Sequence, residues 1–314
     1  MVFTDAPFAT LFGFPFRTQN EVVQGSIVAF GAPVESASPR RPGTTFGPSA
    51  LRETSCDILQ SYLASPSRTV VDLSNGRTKQ LRDFSGSLDL GDLVCEGQVS
   101  TAGIAQVAQV TAAIVGAGGF PVLLGGDHRV FEGFVRGVDD GSNTLAIISF
   151  SDKVALPAAI DAAPLPLATL ATVSEDGCPL LCIGVNGLQS GVAWEELGSI
   201  GGRIISADEL YEARQQACET INHFIKQNES LVCCVDLEVV DSGHAAGTPS
   251  VNVGGLTPEQ LIDLLSEIDI SRSLAGVAVT NVAPKLDARG LTELAATEAL
   301  LALLDSHLFN EITA

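Results

Sequence analysis

With 314 residues the chain is long enough for one large α/β domain, and the expectation is a single domain over 1–314. Thirty-seven acidic against seventeen basic side chains give a formal charge of −20, and no Lys or Arg cluster offsets it, which argues against a nucleic-acid partner. The chain is 46% hydrophobic with a mean hydropathy of +0.30, yet its longest apolar runs, Leu145–Phe150 and Leu231–Val235, fall far short of the ~20 residues that span a bilayer.

In chain order, short apolar and β-branched runs at Ser26–Phe30, Ser87–Leu90, Phe120–Leu124, Leu145–Phe150, Leu180–Val185, Arg203–Ser206, Leu231–Leu237 and Leu274–Thr280 predict strands. Most lack polar alternation, the mark of strands covered on both faces. Helical spacing fills Pro48–Leu63, Val99–Val115, Asp208–Lys226, Pro258–Ile268 and Leu291–Leu308. Ser206 with Glu209, and Thr257 with Gln260 behind Pro258, are capping boxes that set two of the helix starts. The Ala/Pro-rich stretch Val154–Thr172 predicts a loop. Strands alternating with helices predict parallel strands joined by right-handed crossovers, with ligands at their carboxyl ends. No basic segment followed by an apolar one opens the chain, so a cytoplasmic location is expected.

The seven cysteines, Cys56, Cys95, Cys178, Cys182, Cys218, Cys233 and Cys234, match neither a zinc pattern nor a disulfide framework and predict buried free thiols. Cys178 and Cys182 lie four apart, which is not a Cys-x-x-Cys spacing; core packing outweighs a thiolate nucleophile served by His244. Adjacent Cys233 and Cys234 should face opposite sides of a strand. Arg129 is open to two roles, an anion contact or a surface ion pair.

Five ordered segments carry a further pattern: Gly31-Ala32-Pro33 with Arg41 to Pro48 and Arg52; Leu88-Asp89-Leu90-Gly91-Asp92; Leu124-Gly125-Gly126-Asp127-His128; Val235 to Asp241 leading to Gly254-Gly255-Leu256-Thr257; and Gly276 to Pro284 followed by Leu286-Asp287 and Gly290-Leu291-Thr292. Together they resemble the ureohydrolase family of arginases, agmatinases and formiminoglutamases. The resemblance implies a three-layer αβα sandwich around a parallel sheet of about eight strands, assembly as a trimer or hexamer, and a site in which two manganese ions held by His and Asp generate the attacking hydroxide.

The resemblance also implies that this metal centre is degraded. Where the family carries Asp-Ala-His-x-Asp, this chain has Ser151-Asp152-Lys153-Val154-Ala155, so a hydroxyl, an ammonium and a methyl group replace three ligands. His128, Asp236 and Glu238 remain, the last with an arm ~1.5 Å longer than the family's Asp. The family's substrate-anchoring glutamate corresponds to Asn281, its shuttle histidine has no counterpart in Ala158–Thr172, and its Thr-Gly-Thr corresponds to Gly247-Thr248-Pro249.

Two carboxylates ~4 Å apart repel by about 4 kcal/mol at an effective dielectric near 20, so a pocket without its cations needs another positive group. Lys153 is expected to pair with Asp236, Glu238 or both. Strand alternation would turn Asp152 away from Ser151 and Lys153. The expected function is a pseudoenzyme without a metal cofactor, acting by binding a small ligand or by assembling with itself or an active paralogue. The alternative is an active metal-dependent C–N hydrolase of guanidino or formimino compounds, with Mn(II) or another divalent ion weakly held by His128, Asp236 and Glu238.

Overall fold

A computed structural model describes residues 3, 6–35, 41–63, 67–73, 76–84, 86–95, 97, 99–139, 141, 145–154, 178–189, 191, 195, 197–198, 202–271 and 273–312. Its strands are β1 (Ile27–Ala32), β2 (Thr69–Asp72), β3 (Arg77–Leu81), β4 (Leu88–Asp92), β5 (Phe120–Gly125), β6 (Leu145–Phe150), β7 (Leu180–Val185), β8 (Arg203–Ser206), β9 (Ser230–Asp236), β10 (Leu274–Thr280) and β11 (Phe309–Glu311). Its α-helices are α1 (Gly47–Leu63), α2 (Thr101–Gly116), α3 (Val130–Val138), α4 (Ala207–Glu212), α5 (Arg214–Gln227), α6 (Pro258–Glu267), α7 (Leu291–Leu303) and α8 (Asp305–Leu308). Ala155 and the expected loop at Ala158–Thr172 lie outside the described residues.

Among the described residues, the eight runs expected as strands form one parallel sheet in the order β4-β1-β5-β10-β9-β6-β7-β8. Side-chain alternation divides the interior into two cores. Ile27, Ala29, Val122, Ile148, Cys233 and Val279 pack with α1, α6 and α7 on one face. On the other, Val28, Phe30, Leu123, Ile147, Cys234 and Ala278 pack with α2 and α3. This is the expected three-layer αβα sandwich, and Cys233 and Cys234 do face opposite layers. Both capping boxes form at Ser206–Glu209 and Thr257–Gln260.

Several elements differ from expectation. The 208–226 helix breaks at Ala213, whose φ −137 and ψ 44 are non-helical, and the last helix is interrupted at Leu304. Helix α3 escaped the periodic pattern because Gly133 and Gly137 depress helix propensity. Their function is steric, since a Cβ at either position would meet the α2 backbone carbonyls of Ile104 or Ala108. Strands β2, β3 and β11 form a separate antiparallel sheet in the order β11-β3-β2. The polar composition of β3, the shortness of β2 and β11, and a pairing that joins 77–81 to 309–311 left little local signal. No helix among the described residues is long and apolar enough to cross a membrane.

The first two family-like segments meet in a buried ion network. Arg52 on α1 forks onto Asp89 of β4, with Nε 2.8 Å and Nη2 3.0 Å from its carboxylate, while Nη1 reaches Asp92 at 2.6 Å. Asp89 also accepts the backbone N–H groups of Leu11 and Gly91. Arg52 and Asp89 are closed to solvent, so removing either partner strands a buried charge. Arg52→Ala is expected to cost about 3 kcal/mol or more in urea unfolding. Arg52→Lys should recover only part of that, because an ammonium cannot present two parallel N–H groups to Asp89.

Candidate functional site

The carboxyl ends of β5, β10, β9 and β6, neighbours at the middle of the sheet, deliver the polar side chains into one cluster. His128 follows β5 through Gly125-Gly126. A Cβ on Gly126 would collide with the backbone of Val34, so only glycine lets the chain turn there. Asn281 follows β10 in the left-handed region, at φ 61, which asparagine tolerates better than most residues. Register places Thr280 of β10 beside Asp236 of β9, and Phe150 of β6 beside Val235. Ser151, Asp152 and Lys153 therefore emerge beside Asp236, and Glu238 follows in a 3-10 turn.

Asp236 is enclosed by protein donors. Its Oδ1 accepts the Glu238 backbone N–H at 2.9 Å and Asn281 Nδ2 at 3.0 Å, and its Oδ2 accepts the Ser151 hydroxyl at 3.4 Å. Asn281 Oδ1 in turn accepts the His128 backbone N–H at 3.1 Å. The Asn281 side chain, 2% exposed, thus bridges two strands. Lys153 Nζ donates to Glu238 Oε2 at 2.8 Å and to Ser250 Oγ at 2.8 Å, and lies 3.3 Å from Asp152 Oδ2. Of the two carboxylates expected as partners for Lys153, its direct ion pair is to Glu238. Glu238 Oε1 accepts the Ser250 N–H at 3.0 Å.

Asp152 does not turn away as alternation suggested. The strand ends at Phe150, and the following bend releases the side chain from the pleat, so one carboxylate oxygen reaches Lys153. Ser250 was also not foreseen. It lies 97 residues from Lys153 in sequence, and an isolated serine in a loop carries no signal of its own.

The electrostatics follow from burial. Desolvation holds the His128 imidazole down to about 4, against the pull of Asp127 and Glu238, so the ring is neutral at neutral pH. Its Nδ1 lies 2.9 Å from Thr280 Oγ1 and 3.7 Å from Asp236 Oδ2, while Nε2 is buried without a hydrogen-bond partner. Burial, joined by the charges of Glu238 and Asp152, pushes Asp236 well above the ordinary carboxylate range. Burial opposes the Lys153 ammonium, but Glu238 and Asp152 outweigh it and hold the group above the usual lysine range. Cys234 Sγ sits 3.8 Å from His128 Nδ1, yet burial raises its thiol far above 9.0 and leaves it a poor nucleophile.

Other candidates resolve simply. Arg129 donates its Nε to Asp127 at 3.0 Å. His244 is exposed in a turn, and Cys178 and Cys182 are buried and outside any disulfide. Thr248 is buried and donates its hydroxyl to the Ser250 carbonyl at 2.7 Å.

Burial, tempered by Lys153 and reinforced by Glu238, raises the Asp152 carboxyl to about 6. Because the folded-state value lies above the unfolded one, this group's favourable contribution is complete below about pH 4 and is lost as pH rises through about 6. Asp152→Asn is therefore expected to stabilise the protein by on the order of 2 kcal/mol at pH 7.5, with the gain vanishing near pH 4. Thermal unfolding of both proteins across that range measures it, and a pH-independent difference would refute the burial argument.

Comparison with known proteins agrees with this architecture. The model of the arginase family matches residues 25–305. The agmatinase of Bacillus subtilis (strain 168) is 25% identical over 266 residues, covering 84% of this chain and 86% of that protein. Among solved structures, formimidoylglutamase from Bacillus subtilis subsp. subtilis str. 168 superposes with a TM-score of 0.78 at 19% identity, over 98% of this chain and 94% of that one. Proclavaminate amidino hydrolase from Streptomyces clavuligerus does so with a TM-score of 0.76 at 24% identity, over 95% and 96%. The family match spans most of the length, the fold agrees throughout, and the glycine and carboxylate segments fall at the strand ends: the chain belongs to the arginase family.

Proposed function

We propose that this chain is an arginase-family pseudoenzyme, a single unit over 1–314 whose former metal centre now serves ligand binding or assembly. The observation that carries the reading is the Lys153 ammonium, held 2.8 Å from Glu238 inside the cluster of strand-end carboxyl groups. An ammonium and a divalent cation compete for the same oxygens, and the remaining donors do not fit a two-manganese site. Ser151 supplies a neutral hydroxyl, both Asp236 oxygens already accept protein N–H or O–H groups, and Glu238 Oε1 accepts a backbone N–H. Asn281, where the family places an anchoring glutamate, spends its amide on Asp236 and His128.

On this reading His128 and Asp236 persist as parts of a hydrogen-bonded plug rather than as ligands. A cytoplasmic protein assembling with itself as a trimer or hexamer, or with an active paralogue, fits the family membership and the 46% hydrophobic content. The competing reading is an active hydrolase of a guanidino or formimino compound using one weakly held ion at His128, Asp236 and Glu238. It draws support from the agmatinase and formimidoylglutamase relatives and from the unpartnered His128 Nε2. Against it, His128 Nδ1, the ring nitrogen that faces Asp236, already lies 2.9 Å from Thr280 Oγ1.

Titration with Mn(II) is expected to leave the melting temperature unchanged, with no urea released from arginine or agmatine and no formamide from formiminoglutamate. A dose-dependent thermal gain with turnover would establish the competing hydrolase. The variant Ser151→Asp, Lys153→His, Ala155→Asp is expected to acquire Mn(II) binding, detectable as a metal-dependent rise in melting temperature. A well-folded variant that stays indifferent to Mn(II) would show that these positions are not the ligand positions.

A further inference from the structure

The small sheet β11-β3-β2 leaves a strand edge open. In an antiparallel ladder the peptide groups of alternate residues point to opposite sides of the strand. The Leu81 N–H donates to the Arg68 carbonyl at 2.9 Å, Val70 stands opposite Lys79 and Asp72 opposite Arg77, so the even-numbered residues of β2 turn their peptide groups toward β3. Those of Thr69 and Val71 point away from it, and no other strand among the described residues pairs with them. Val71 is 57% exposed, and Leu73 just beyond it 91%. Two other edges are covered. Along β4 the Asp89 N–H and carbonyl bond to Pro15 and Arg17, and on β11 Arg82 Nε donates to the Phe309 carbonyl at 3.2 Å. Strand β2 lacks the usual devices that blunt an edge, with no proline, no lysine and no bulge between Thr69 and Asp72.

We propose that β2 pairs antiparallel with β2 of a second copy of this chain, about a two-fold axis at Val70, joining the two small sheets into one. In that register Thr69 faces Val71 of the other copy, and the outward N–H and C=O groups of both residues close hydrogen bonds across the axis. Arg68 of each copy comes level with Asp72 of the other. An axis at Thr69 or Val71 would set the remaining outward residue against a position beyond the strand and lose the match of Arg68 with Asp72. The choice of a second copy rests on charge. A chain at −20 resists self-association over its surface at large, but its three short strands carry Arg77 and Lys79 against Asp72 and Glu311, a balanced set. A uniformly acidic or basic strand from another protein would meet Asp72 or Arg68 with like charge, whereas a second copy offers one charge of each sign where the opposite is needed.

This inference rests on the self-assembly proposed above and selects its even-numbered form, because a two-fold contact joins chains in pairs, as a dimer or as two trimers in a hexamer. Light scattering of the full chain at about 0.1 mM is expected to give one of these. Val71→Pro removes an outward N–H while keeping the ladder to β3, and is expected to weaken the contact at least about ten-fold, read as a halved mass at concentrations where the parent chain stays paired. Oxidative crosslinking reads the register. The two Val70 residues would form a non-hydrogen-bonded pair with Cα atoms about 4.5 Å apart, within disulfide range, while the two Val71 residues would stand about 9 Å apart. Val70→Cys is therefore expected to give covalent dimers above the background of the parent chain, and Val71→Cys not to, although Val71 is the more exposed of the two. The inference is overturned by a monomer, which would leave the edge to a strand of another protein, by a trimer, by an assembly that Val71→Pro leaves unchanged, or by Val71→Cys crosslinking as readily as Val70→Cys. An unchanged assembly would move the interface elsewhere and leave self-assembly standing, and none of these results bears on Mn(II) binding or turnover, which test the earlier reading. Should Val71→Pro fail to fold, the cysteine comparison decides alone.

Discussion

The site is organised by the need to neutralise carboxyl groups that the sheet buries together. Strands β9 and β6 are neighbours, and their carboxyl ends bring Asp236, Glu238 and Asp152 into a space nearly closed to water. At such short range, like charges in a poorly screened medium repel by several kcal/mol. The chain answers in three ways. Lys153 supplies a positive charge directly to Glu238 and Asp152. Protein N–H and O–H groups surround Asp236. Burial then favours the protonated forms of Asp236 and Asp152.

Asn281 couples this chemistry to the backbone. Its left-handed conformation lets one side-chain amide touch Asp236 on β9 and the His128 N–H after β5, tying together the ends of strands that flank β10. A glutamate at that position would bring a further negative charge beside Asp236 and could not donate to it. The neutral His128 ring completes the arrangement, since a charged imidazole would have to be desolvated completely. Each member of the cluster is thus intelligible through its neighbours, apart from two buried atoms without a hydrogen-bond partner among the described residues, His128 Nε2 and Asp152 Oδ1.

Much of this was legible in the linear chain. Continuous apolar runs identified all eight strands of the parallel sheet because a strand covered on both faces has no polar alternation to conceal it. Two helix starts were readable from capping boxes, which are local chemistry. What stayed hidden was non-local or self-contradictory. The antiparallel sheet depends on a pairing between residues more than two hundred positions apart. Helix α3 needs glycines that weaken it so that it can approach α2. The aim of Asp152 was misjudged because alternation holds only while the pleat lasts, and the pleat stops at Phe150.

Sequence alone determined the fold class and the family resemblance, because the order of apolar runs and of glycine and carboxylate segments is a property of the linear chain. Only the tertiary structure decided which carboxylate Lys153 meets, that Ser250 and Asn281 share the cluster, and that one Asp152 oxygen lacks a donor. Those are matters of distance between side chains carried on different strands, and the register that fixes such distances is set by packing across the whole sheet rather than by any local run of residues.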